Sequence, residues 1–147
     1  QFLSSAGENR SNLIQQIYPN EEFENNLFLK KCFITEVNHL PSKTSKIDNY
    51  DFKERLKFLK NDFFRSFKII ILACGNYLDK NKVEEIFDVK YKDDFSLPRK
   101  KLITYENENR ILINTRQLSF DTSNFYISQI VDKALGKNKA EVNKTAG

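Results

Sequence analysis

The sequence predicts an α/β fold: a three-layer sandwich with a mainly parallel central sheet, helices on both faces, and a β-hairpin before the C-terminal helix. Three observations lead there. Segments of helical spacing alternate with apolar, β-branched runs along the chain. One of those runs, KIIILACGNYL, is continuous, as in a strand buried on both faces of a parallel sheet. That run ends in Gly75-Asn76 before helical spacing resumes, which is how a crossover unit begins. The chain has 147 residues, the size of one domain. Residues 1–136 are expected to form it, with 137–147 a polar, flexible tail.

Each element has its own signal. SNLIQQIYPN places Leu13, Ile14, Ile17 and Tyr18 at helical spacing, with Ser11 as N-cap and Pro19 as the stop. EEFENNLFLK reads as a second short helix or a loop. KKCFITEV is rich in β-branched residues and reads as a strand, and NHLPSKTSKIDN as a loop. In DFKERLKFLKNDFFRSF, Phe52, Leu56, Leu59, Phe63 and Phe67 step by helical intervals along one face, and Asp51 with Glu54 has capping-box spacing. The other face carries Lys53, Arg55, Lys57, Lys60 and Arg65. After KIIILACGNYL, the stretch NKVEEIF is helical. KKLITYENENRILINTRQLS reads as two strands around the turn ENEN. DTSNFYISQIVDKALG is a helix capped by Thr122 or Ser123, with Ile127, Ile130, Val131, Ala134 and Leu135 on its apolar face and Gly136 past its end.

Composition narrows the function classes. The chain is 39% hydrophobic and 30% charged, enough to bury a core and unlike a disordered chain. Thirteen Phe and six Tyr with no Trp point to a core built largely from Phe and Ile. The net charge of +4 is uneven: residues 1–29 hold one Arg and four Glu, so the remainder carries +7. Such asymmetry allows for a polyanion such as DNA as partner, but on charge alone scattered solvated lysines are the better reading. Cys32 and Cys74 lie in apolar runs and read as buried free thiols in a reducing, cytoplasmic setting. Two Cys and one His cannot build a Cys/His zinc site, so no metal or cofactor is expected. No apolar run approaches the ~20 residues that span a bilayer, so no membrane partner is expected. QFLSSAGENR does not have the pattern of a signal peptide.

In parallel α/β sheets, ligands bind outside the carboxyl ends of the strands. Three polar clusters follow predicted strands: Glu36-Val37-Asn38-His39, Gly75-Asn76, and Arg116-Gln117-Leu118-Ser119. The candidate site residues are therefore Glu36, Asn38, His39, Asn76, Gln117 and Ser119. Each also has an ordinary role open to it. Glu36 and Asn38 can satisfy loop backbone, His39 can sit in a surface turn, and Ser119 can open the turn before the last helix.

Four segments, taken in order, resemble the uracil-DNA glycosylase superfamily, particularly its bacterial and archaeal branches. QFLSSAGENRSNLIQQIY is similar to the family's stretch PF-x-G-x-x-G-x-x-L, and FLKKCFITEVNHLP to its strand V-Y-I-T-N. FFRSFKIIILACGNYL is similar to its strand-glycine segment. LITYENENRILINTRQLSFDTSNFYISQIVDKAL is similar to its final strands, H-P-S loop and C-terminal helix. The resemblance implies that Phe2 matches the aromatic that stacks on uracil. Glu36 falls where the family reads uracil with Asn, and Asn38 lies two residues on. Gln117-Leu118-Ser119 falls on H-P-S, so Gln117 stands in place of a histidine. The family's first strand and water-placing catalytic loop would precede residue 1, and the cysteines of its iron–sulfur branches are missing.

These departures bear on chemistry. Excision of a flipped base needs a stacking platform, edge-reading groups, a donor for charge on the leaving base, and a group that places water. Gln117 can donate a hydrogen bond, but as a neutral amide it is a poorer partner for an anion than a histidine. Ionised Glu36 cannot donate to a uracil carbonyl, though it can accept from an exocyclic amine. Two readings result. One is a glycosylase-like DNA-binding protein that excises a base, a DNA-repair hydrolase. The other is a non-catalytic module of the same fold that binds nucleic acid or protein.

Overall fold

The computed structural model describes residues 5–22, 31–33, 35, 49–95, 101–118 and 122–136. Their order is α1 (Ser5–Ile17), α2 (Asn49–Leu59), α3 (Asp62–Arg65), β1 (Ile69–Leu72), α4 (Lys80–Phe87), β2 (Lys90–Asp94), β3 (Leu102–Glu106), β4 (Ile111–Thr115) and α5 (Asn124–Ala134). The chain divides into two compact units, residues 1–33 with 117–147, and residues 34–116.

The second unit holds a four-stranded sheet in the order β1-β4-β3-β2. β1 pairs parallel with β4, whereas β2 with β3 and β3 with β4 are antiparallel. This corrects the expected three-layer sandwich with a mainly parallel sheet: one of its three strand pairings is parallel. The physical reason lies in two segments. KYKDD, which has no apolar alternation, follows α4 directly and pairs back onto β3. Of the segment expected to supply an early parallel strand, Cys32, Phe33 and Thr35 are not in a strand. β1 therefore lies at an edge of the described sheet, with Ile69, Ile70 and Ile71 only half-buried.

Register explains the burial. Leu112 of β4 stands opposite Ile70 and Tyr105, and Asn114 opposite Leu72 and Ile103. On that face Leu72, Tyr105 and Leu112 join Leu59, Phe64, Leu78, Val83, Ile86, Phe87 and Val89 in one apolar cluster. Phe64 and Phe87 are the phenylalanines buried among the described residues. β2 is instead held by backbone pairing at the sheet edge. Its charged residues and the bulge between Tyr91 and Asp93 make a poor template for another strand.

Helix ends follow capping chemistry. Asp79 caps α4 by accepting from the Lys82 amide, and Asp88 closes it in the left-handed region at φ 52°. Ser123 caps α5 by accepting from the Tyr126 amide, and Gly136 follows at φ 70°. The expected long helix over 51–67 is broken. Asn61 has extended backbone and its side chain accepts from the Phe63 amide, starting α3 afresh. That break shifts the helical phase, so Phe64 is buried and Phe63 exposed, the reverse of the spacing read across it.

In the first unit, α1 begins six residues before Ser11, and Leu13, Ile14 and Ile17 are buried on it. It packs with α5, whose Tyr126, Ile127, Ile130, Val131 and Ala134 are buried. The Asn12 amide donates to Asn124 Oδ1 at 3.4 Å.

Candidate nucleic-acid interface

Five of the seven residues singled out from the sequence, Phe2, Glu36, Asn38, His39 and Ser119, lie outside the described residues. Asn76 belongs to the second unit and Gln117 to the first. Gln117 is exposed just beyond the strand end. Asn76 sits at the carboxyl edge of the β1/β4 pair, where its Oδ1 accepts from Lys101 Nζ at 3.1 Å.

That edge is built by backbone geometry. Gly75 takes φ 61°, a conformation that favours glycine, and its amide donates to the Thr115 carbonyl at 3.1 Å. Lys101 Nζ also donates to the Gly75 carbonyl at 3.0 Å, tying the turn to the start of β3. Burial pushes the Cys74 thiol up, and the Lys101 charge acts against it. Cys74 and Cys32 are both free and half-buried. Asn114 is 0% exposed, and neither its Oδ1 nor its Nδ2 has a hydrogen-bond partner among the described residues. The sequence reading found Gly75 and Asn76 but missed Lys101 and Asn114. A polar residue inside the apolar strand ILINT was the signal for Asn114; Lys101 has none, because it arrives from another strand.

A second surface lies on α2 and α3. Residues 53–68 hold six basic and two acidic side chains, a net +4 that equals the charge of the whole chain. Lys53, Lys57 and Lys68 are exposed, and Arg55, Lys60 and Arg65 half-buried. Lys57 pairs with Glu54 at 2.7 Å and Lys60 with Glu85 at 2.5 Å. Arg65 is anchored by donating to the Ile86 carbonyl at 3.2 Å. Among these cations lie Phe58, 45% exposed, and Phe63, 48% exposed. Both rings meet the buried Phe64 edge-on, at 4.9 and 5.2 Å between centroids. Phe63 meets Phe67 at 5.2 Å. The Arg55 guanidinium lies 4.3 Å from the Phe58 ring centre and donates to the Thr35 hydroxyl.

The described residues hold no cluster of three or more His, Cys, Asp or Glu side chains able to bind a metal. No helix among them is long and apolar enough to cross a membrane. The chain matches no known protein family, no curated protein and no solved structure.

Proposed function

We propose that this chain is a non-catalytic nucleic-acid-binding module that contacts phosphates through α2 and α3. One observation carries the reading: residues 53–68 set six basic against two acidic side chains, with Lys53 and Lys57 exposed on α2 and Lys68 exposed just beyond α3. Lysines whose carboxylate partners are exposed exchange them readily for phosphates, because surface pairs contribute only about 0–1 kcal/mol. Neutralised phosphates release counterions, so affinity falls steeply with salt.

The test is binding to fluorescent oligonucleotides across a salt series. The logarithm of affinity is expected to fall linearly with log salt, with a slope of about −2 to −4. Lys53→Gln with Lys57→Gln should make that slope shallower by about 1.5. No binding at low salt would overturn the reading. A uracil-bearing strand in the same series, treated with alkali afterwards, separates the two functional classes: scission at uracil would make the protein a glycosylase rather than a binder.

A further inference from the structure

Resting on the nucleic-acid reading, we infer that the partner is single-stranded, its unpaired bases stacking on Phe58 and Phe63 while its phosphates meet Lys53 and Lys57 of α2 and Lys68 beyond α3. The helix break carries this. Continuous helical phase would turn Phe63 inward; the restart at Asn61 turns it out instead and buries Phe64 between it and Phe58. Phe64 then acts as an anchor, touching both exposed rings edge-on, an arrangement that aromatic pairs prefer. Two exposed rings on a segment of net +4 match a polyanion that also offers flat apolar faces. Unpaired bases have such faces, whereas a duplex hides them in its stack. An apolar protein segment would use the rings but not the charge. The Arg55 guanidinium, 4.3 Å from the Phe58 ring centre, adds a cation beside that ring.

The experiment uses the full chain and labelled oligothymidine, oligouridine and a duplex hairpin, read by anisotropy at low salt. Either single strand should bind about tenfold tighter than the duplex, and the better of the two identifies DNA or RNA. Phe58→Leu and Phe63→Leu keep apolar bulk and remove the ring. Each should weaken single-strand binding about tenfold and leave duplex binding unchanged. Phe63→Tyr, which keeps the ring, should bind as the parent does. Circular dichroism confirms that every variant is folded. Equal or better duplex binding, or a single-strand preference that survives both leucine variants, overturns the inference while leaving salt-sensitive binding intact. Loss of salt-sensitive binding to every oligonucleotide overturns the nucleic-acid reading as well. Self-association abolished by the leucine variants, with no nucleic-acid binding, would assign the rings to a protein contact.

Discussion

Replacing Asn114 with valine should make the protein more stable. Asn114 is fully buried on the central strand β4, between Leu72 of β1 and Ile103 of β3. Its amide oxygen and nitrogen have no partner among the described residues. A buried polar group left unpaired costs roughly 1–3 kcal/mol. Valine removes that cost, adds apolar area to the face that carries Leu72 and Leu112, and is branched as strands prefer. The expected gain is about 1–3 kcal/mol, or roughly 3–9 °C in Tm for a chain of this size. Urea unfolding followed by circular dichroism measures it directly, with an unchanged m-value showing that compactness is the same. Asn114→Asp, which would bury an unpaired charge, should move the other way by about 3 kcal/mol or more. A less stable Asn114→Val protein would refute the reasoning, because the amide would then contribute more than it costs.

Two further outcomes follow from backbone and charge. Gly75→Ala should cost about 1–2 kcal/mol through its positive φ alone, because an added Cβ meets nothing within 4 Å; Gly75→Asn, a residue that tolerates this region, should cost less by the same urea titration. The Asp79 carboxyl is held below its ordinary value first by the hydrogen bond from the Lys82 amide, and the Glu85 carboxyl first by its bond from Lys60. A carboxyl depressed in the folded state stabilises above its unfolded value and loses that contribution as pH falls through the folded one. Tm should therefore drop between about pH 5 and pH 2, and less steeply in Asp79→Asn, which keeps the cap but not the charge.

Elements with a local cause were legible in the sequence. The α5 helix announced itself through Ser123, its apolar stripe and Gly136, and the hairpin through the turn at Asn107, whose Oδ1 accepts from the Asn109 and Arg110 amides. β2 was not legible, because KYKDD has the composition of a charged loop and becomes a strand only by pairing with β3. That pairing in turn overturned the expected parallel sheet. The phase of residues 51–67 was misread for a subtler reason. Periodicity ran through Asn61, and a single cap was enough to rotate everything after it. Of the candidate site, the Gly75-Asn76 turn was legible from glycine's conformational freedom. Its lysine was not, since Lys101 lies 25 residues from Asn76 in sequence and meets it only through the sheet.

The first unit is assembled from both ends of the chain, with residues 34–116 between its halves. α1 is the first described helix to leave the ribosome, yet α5, against which it packs, is the last. During synthesis the apolar stripe of Leu13, Ile14 and Ile17 must wait for nearly the whole chain to emerge. Closing so long a loop is entropically slow, but only logarithmically so. The chain order thus makes the α1–α5 contact the last one that synthesis permits.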